Sequence, residues 1–272
     1  SSSRVVVNLD EQTANVVGSG YSDVIRNIQN VIGGDGDDTI TGSSLVNTLQ
    51  GGIGADTFVM KGSANDTIYG GLSSGVDTNG QDTVDYSGYS NKVYVNIDAN
   101  SATVDIDNDG FDVSDKIDSI NGIENVIGTS QSDTIYSGSG VNTIFAGGGA
   151  DSIYAGSGID VIYAQSGDDV IYMNVNGYTT NNLVDGGEGT DTVVYTGLTN
   201  GIRVNLQDGT TVGVTVGGSV DHNITSIENI TGTNQADIIT GSESKNVFVG
   251  MGGSDTITGI AGNNVKIGRA HV

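Results

Sequence analysis

Five residues spaced by nine have the chemistry to hold a cation: Asp133, Asn142, Asp151, Asp160 and Asp169. Each is the sixth residue of a nine-residue frame, and the frames GTSQSDTIY, SGSGVNTIF, AGGGADSIY, AGSGIDVIY and AQSGDDVIY follow one another from Gly128 to Tyr172 without a gap. Carboxylates and turn carbonyls are hard oxygen ligands, the kind that Ca²⁺ takes in flexible coordination by about six to eight oxygens. Stacked strands lie ~4.8 Å apart, and carboxylates repeated at that spacing repel unless a cation lies between them. The other account is an Asp that bonds only its own turn backbone. That suffices for one isolated frame and explains five in register poorly.

The residues around the acid say how it would be positioned. The eighth places are Ile135, Ile144, Ile153, Ile162 and Ile171, and the ninth are Tyr136, Phe145, Tyr154, Tyr163 and Tyr172. A fixed period of nine with glycines, one acid and one aliphatic residue is the pattern of a parallel β-helical solenoid. Six small residues make a turn and three a short strand, so two frames close one coil of 18 residues. The isoleucines then face a thin shared core, because side chains alternate along a strand. Asp133 is expected over Asp151, Asn142 over Asp160, and Asp151 over Asp169.

Three further frames sharpen the motif: Gly33–Thr41 (GGDGDDTIT), Gly51–Val59 (GGIGADTFV) and Gly186–Val194 (GGEGTDTVV). With them the chain resembles the RTX repeat, GGxGxDxUx with U a large aliphatic residue, of proteins exported by bacterial type I secretion. Phe58 stands in the aliphatic place of the second frame. The resemblance implies an all-β fold built on a parallel β-roll, with Ca²⁺ in the turns, an extracellular location and calcium-triggered folding. It implies no single activity, since such rolls accompany toxins, proteases, lipases, epimerases and adhesins. The expected metal ligands are Asp38, Asp56, Asp82, Asp133, Asn142, Asp151, Asp160, Asp169, Asp191, Asp237 and Asp255. Asn246 and Asn264 share the acid place with Asp237 and Asp255, so weaker sites are expected there and the strongest within 128–172.

Between the rolls lie strand-rich lead-ins that align with one another. Val5–Leu9, Val93–Ile97 and Ile202–Leu206 read VVVNL, VYVNI and IRVNL. Ile28–Gly33, Ile123–Gly128 and Ile227–Gly232 read IQNVIG, IENVIG and IENITG. Their alternation of apolar and polar residues predicts half-buried strands. Asp82–Gly88 (DTVDYSG) and Asp191–Gly197 (DTVVYTG) lead into the second and third of them. These joins resemble the region ahead of the roll in serralysin-type metalloproteases and large RTX surface proteins. The expected organisation is residues 1–92, 93–201 and 202–265, each a lead-in plus a roll, with the central roll at 128–172. Residues 266–272 stand apart, because Ile267–Val272 (IGRAHV) resembles a translated sequencing adapter and Lys266 occupies an inward aliphatic place. The chain is expected to be a piece of a longer protein.

Composition excludes several functions. The net charge is −24, with 33 acidic residues against 9 basic, which disfavours nucleic acid and anionic membrane surfaces. Without cysteine there is no disulfide framework or thiolate metal site. No apolar run reaches the length of a membrane span. Neither HExxH nor GxSxG occurs, and His222 is the only histidine ahead of the suspect tail, so catalysis within the chain is not expected. Asp105–Gly110 (DIDNDG) begins like a calcium loop, but Lys116 holds the twelfth place where an EF-hand has Glu; a separate cation site and a solvated acidic turn both fit. The ninth-place aromatics suit either a sheet-stiffening ladder or a platform for surface glycans. The leading expectation is a calcium-binding, non-catalytic segment of a secreted or surface protein, structural or adhesive. The alternative is the secretion and stabilisation module of an exported metalloprotease, lipase or alginate epimerase. A thin core under a strongly acidic surface implies disorder without Ca²⁺. Other domains of the same polypeptide are the remaining expected partners.

Overall fold

A residue that turns inward once every nine positions can be buried along its whole series only if the chain coils, and this chain does. The computed structural model describes residues 3–71, 80–112, 114–173, 182–207, 212–216, 219–260, 262 and 264–268. Every element among them is a β-strand. Thr57–Val59, Thr67–Tyr69, Ser152–Tyr154 and Val170–Tyr172 each bury their middle residue between half-buried neighbours. Parallel pairing runs at a register of 18 residues, Thr39↔Thr57, Asn30↔Thr48 and Ser152↔Val170. Two frames therefore make one coil, and the fold is a parallel β-roll.

The core is a file of eighth-place side chains. Ile40, Leu49, Phe58, Ile68, Ile135, Ile144, Ile153, Ile162, Ile171, Val193, Ile239 and Phe248 are all fully buried, each contributing about 1.5–3 kcal/mol relative to exposure. The six-residue turns are more ordered than their composition suggests. Ser139–Gly148 and Ser157–Ser166 are ten-residue strands, because the turn backbone itself pairs from Ser139↔Ser157 to Gly148↔Ser166.

The chain divides into two units, Ser1–Ser137 and Gly138–Val272. In the first, one sheet runs Ser22–Val24, Thr13–Val16, Val5–Asn8, Thr39–Thr41, Thr57–Val59, Thr83–Asp85, Asn125–Ile127. The other runs Asn30–Gly34, Thr48–Gly52, Thr67–Tyr69, Lys116–Asn121, Ser101–Val104, Val93–Asn96, Thr134–Tyr136. In the second unit, one sheet runs Ser139–Gly148, Ser157–Ser166, Asn182–Asp185, Ser219–Thr225, Val212–Val216, Ile202–Asn205, Ile238–Thr240, Thr256–Thr258. Its second runs Ser152–Tyr154, Val170–Tyr172, Thr192–Val194, Asn229–Thr231, Val247–Val249, Val265–Ile267.

Each lead-in is a three-stranded antiparallel meander spliced into this parallel ladder. The first strand of each pairs with the roll that follows it: Val5–Asn8 with Thr39–Thr41, Val93–Asn96 with Thr134–Tyr136, Ile202–Asn205 with Ile238–Thr240. The third strand pairs backwards, Lys116–Asn121 with Thr67–Tyr69 and Ser219–Thr225 with Asn182–Asp185. A lead-in thus interrupts one sheet while the opposite sheet continues directly, through Thr83–Asp85↔Asn125–Ile127 and Thr192–Val194↔Asn229–Thr231.

At the tail, Val265–Ile267 pairs in register with Val247–Val249, Lys266 opposite Phe248. Lys266 is exposed and its Nζ donates to Ile257 O at 3.1 Å, so the ammonium escapes the core its place would assign it. Residues 269–272, the insertion at 72–79 and the His222 side chain lie outside what is described.

Candidate metal centre

The frame places its acid where the turn meets the strand, and there the side chain folds inward beneath the turn. Asp38, Asp56, Asp82, Asp133, Asn142, Asp151, Asp160, Asp169, Asp191 and Asp237 are each at most 1 % exposed, while Asp255 is half-buried. Most reach one coil back along the roll. Oδ1 of Asp56 accepts the Asp38 N–H at 2.7 Å, Asp82 that of Asp56 at 2.7 Å, Asp169 that of Asp151 at 2.7 Å, and Asp191 that of Asp169 at 2.9 Å. Asp255 accepts the Asp237 N–H at 3.1 Å, and the Asp160 N–H donates to Asn182 Oδ1 at 2.6 Å. The result is a ladder in which these side chains bond the backbone of the neighbouring coil.

The other oxygen separates two kinds of rung. Oδ2 of Asp38, Asp160, Asp169, Asp191 and Asp255 is buried and accepts no hydrogen bond, an expensive state for a carboxylate oxygen. At Asp133 and Asp237 both oxygens are taken. Thr129 N–H and Oγ1 bond Asp133 Oδ2 and Oδ1 at 2.6 and 3.0 Å, while Val93 N–H bonds Oδ1 at 2.7 Å. Thr233 and Ile202 do the same for Asp237 at 2.7, 2.9 and 2.9 Å. Two of the asparagine rungs, Asn47 and Asn246, are also self-sufficient. Asn47 accepts from Ser43 N–H and donates to Gln29 O, and Asn246 accepts from Ser242 N–H and donates to Glu228 O. The donor set at the first kind of rung, buried hard oxygens lacking a proton donor, fits Ca²⁺.

The first glycine of a frame serves this arrangement by being small. A methyl on Gly33 would collide with Asp38 Oδ2 and Gly51 O, and one on Gly186 with Ser226 O and Asp191 Oδ2. In the frame Gly51–Val59 the second and fourth places take a left-handed backbone, Gly52 and Gly54 having φ of 121° and 136°. Gln165 and Met251 occupy second places at φ of 79° and 60°, where a side chain is strained.

Burial also governs the electrostatics. It pushes Asp160 up to about 7, opposed by the Asn142 N–H, and Asp191 up to about 7, helped by the charges of Asp169, Glu228 and Asp168. Asp133 rises only to about 6, because Thr129 and Val93 stabilise its anion. Asp38, Asp169 and Asp237 are raised for the same first reason.

Several ladder members are absent from the expected set. Glu124 and Glu228, the acids of the IEN motif, accept the N–H of Asp82 at 2.8 Å and of Asp191 at 2.9 Å. Their repetition one residue after an isoleucine was a visible signal. Asp66 accepts the Asn47 N–H at 2.8 Å, and Asp118 the Asp66 N–H at 2.8 Å. Asp66 continues the acid series of the first roll ten residues after Asp56, and only strand pairing brings in Asp118. Between these two carboxylates lies the fully buried Lys116, its Nζ 2.9 Å from Asp66 and 2.7 Å from Asp118. Tyr86 Oη donates to the other oxygen of Asp118 at 3.0 Å. At this rung the chain supplies its own cation.

The acidic loop is drawn together, since carboxylate oxygens of Asp105, Asp107 and Asp109 lie within 4.8 Å of one another. Its backbone is braced from within the protein: Asp115 accepts from Ile106 and Asp112 N–H, and Lys92 pairs with buried Asp105 at 3.0 Å. Lys116, at the twelfth place, points to Asp66 and Asp118 instead. The ninth-place aromatics do stack, Tyr154 on Tyr172 with centroids 4.4 Å apart at 4°, and Phe145 on Tyr163 at 5.0 Å and 9°.

A parallel roll whose turns bury a repeated ladder of carboxylates defines a cation-binding β-solenoid. The sequence profile described as RTX calcium-binding nonapeptide repeat (4 copies) matches residues 32–59, 119–153, 145–172, 174–197 and 228–265, just over half of the chain. The chain belongs to this family, and its repeats are structural elements that bind Ca²⁺. No curated protein matches the chain.

Proposed function

We propose that the chain is a calcium-gated, non-catalytic segment of a longer exported protein, with a structural or adhesive role outside the cell. The observation that carries this is the set of buried carboxylate oxygens without a donor at Asp38, Asp160, Asp169, Asp191 and Asp255. Together with Asp56, Asp82 and Asp151 at equivalent places, these residues would hold Ca²⁺. The bound ion contributes charge neutralisation and oxygen coordination. Asn142 would contribute a neutral oxygen, and Asp133 and Asp237 serve first as hydrogen-bonded caps of their turns.

The roles of the chain's own residues follow. The Asp ladder joins successive coils through backbone N–H groups, so ordering one turn positions the next. Deprotonated carboxylates massed in a chain of net charge −24 oppose that ordering without cations. Extracellular calcium modules bind at about 10⁻⁴–10⁻³ M, so the roll would fold outside the cell and remain unfolded at cytosolic calcium, compatible with export as an unfolded chain. The stacked tyrosines stiffen the sheets in this reading.

Far-UV circular dichroism across a Ca²⁺ titration, with Mg²⁺ as control, tests it. A cooperative rise in β signal with Ca²⁺ alone is expected; a full β signal in chelator would make the ladder a passive scaffold.

A further inference from the structure

The three meanders superimpose by register, through Ala14↔Asp23, Ala102↔Asp118 and Val214↔His222. In the second and third, the surface formed by the last meander strand and the following IEN strand is covered by a coil of the preceding roll. In the first, Ser22–Val24 and Asn30–Gly34 end their sheets. The same inward positions show the difference. Ile123 and Ile227 are 3 % and 7 % exposed, but the equivalent Ile28 is 47 % exposed. Ile120 and Ile224, Val126 and Ile230 are buried, whereas Ile25 and Val31 are only half-buried.

The polar groups at this face match an occupant as well. Glu124 and Glu228 accept the N–H of Asp82 and Asp191 in the coil that covers them. Asp118 accepts that of Asp66. The first lead-in has Gln29 and Asp23 at these two places, both exposed and both acceptors.

We infer that the face formed by Ser22–Ile25 and Ile28–Ile32 is the docking surface for one further nonapeptide coil, ending in a D-T-V-x-Y-like strand and joined covalently ahead of Ser1. The covalent source follows from spacing: Asp82 precedes Val93 by eleven residues, and Asp191 precedes Ile202 by eleven. A sequence DTVxYxG placed directly before Ser1 sets its Asp eleven residues before Val5. This inference rests on the reading of the chain as a segment of a longer calcium-bound roll.

The test fuses a copy of residues 182–197 directly before Ser1 of the full chain and compares hydrogen exchange of fused and unfused proteins in saturating Ca²⁺. The expected result is at least about tenfold slower exchange at 22–32, together with protection of the added strands. Ile28→Asp should abolish both effects in the fusion. In the unfused chain, where Ile28 is exposed, it should leave protection of 39–69 unchanged, which separates loss of docking from loss of folding. An added segment that exchanges like a free peptide on an otherwise protected chain would overturn the inference. So would an unfused chain that dimerises and thereby protects 22–32, since the occupant would then be a second copy. Absence of calcium-dependent protection anywhere would instead overturn the functional reading.

Discussion

A single oxygen decides what each acid-place residue does. Asp160 has a buried Oδ2 without a donor, whereas Asp133 has donors for both oxygens. Asp160→Ala should therefore lower the calcium stoichiometry measured by equilibrium dialysis and raise the calcium midpoint of folding. Asp133→Ala should leave stoichiometry unchanged and cost stability, about 1–3 kcal/mol for the turn and strand N–H groups it strands. Lys116 sits between Asp66 and Asp118 with no exposure, so Lys116→Met strands two buried carboxylates. A loss of about 3–5 kcal/mol in denaturant titration is expected, largely recovered when Asp66→Asn and Asp118→Asn are added. Gln165 is strained at positive φ, and Gln165→Gly should raise stability by up to about 1 kcal/mol in the same measurement. The nine-residue period announced Asp133 and Asp160 alike. What distinguishes them is Thr129 against Gly156 at the second place, since only a threonine supplies a hydroxyl and Gly156 has a left-handed backbone.

At the scale of elements, the meander is a splice that reverses local strand direction without breaking the parallel ladder. It works because its outer strands run the same way and each joins a different roll. The IEN glutamates close the seam on the opposite sheet by taking the amide of the last roll acid. Glu228→Ala should speed exchange of the Asp191 amide, leave the coils around Ser152–Tyr154 protected, and show by hydrogen-exchange mass spectrometry that the damage is confined to the seam. The strands themselves were legible: VxVNL and IENxxG alternate apolar and polar residues and lie where expected. Their pairing was not, because alternation defines which face is buried and says nothing about the neighbouring strand.

For the whole molecule, the ladder makes the metal-free fold sensitive to pH in the direction opposite to a salt-bridged protein. Burial lifts Asp160 and Asp191 to about 7 from an ordinary 3.8. Between these values the folded chain binds protons that the unfolded chain has released, so stability falls as pH rises. It is fully present below about 3.8, the unfolded value, and lost as pH passes through 7. In chelator, the far-UV β signal should therefore fall from pH 5 to pH 8, toward the unfolded chain expected at neutral pH without Ca²⁺. Added Ca²⁺ should offset that loss increasingly at higher pH, because deprotonated carboxylates are its ligands. A metal-free β signal that rises over the same range would contradict the buried ladder.

The sequence by itself determined the repeat, the 18-residue coil, the inward isoleucines and the stacked aromatics, because a strict period fixes which residues share a face. It also pointed to calcium, because hard oxygens recurred where charges would otherwise repel. Tertiary structure alone decided that Lys116 reaches Asp66, that Asp118 takes the Asp66 amide, and that Glu124 and Glu228 extend the ladder. Those relations join residues 37 to 52 positions apart, well beyond the period. Hydrogen bonding and burial at such distances depend on how the coils and meanders are paired, which no local spacing encodes.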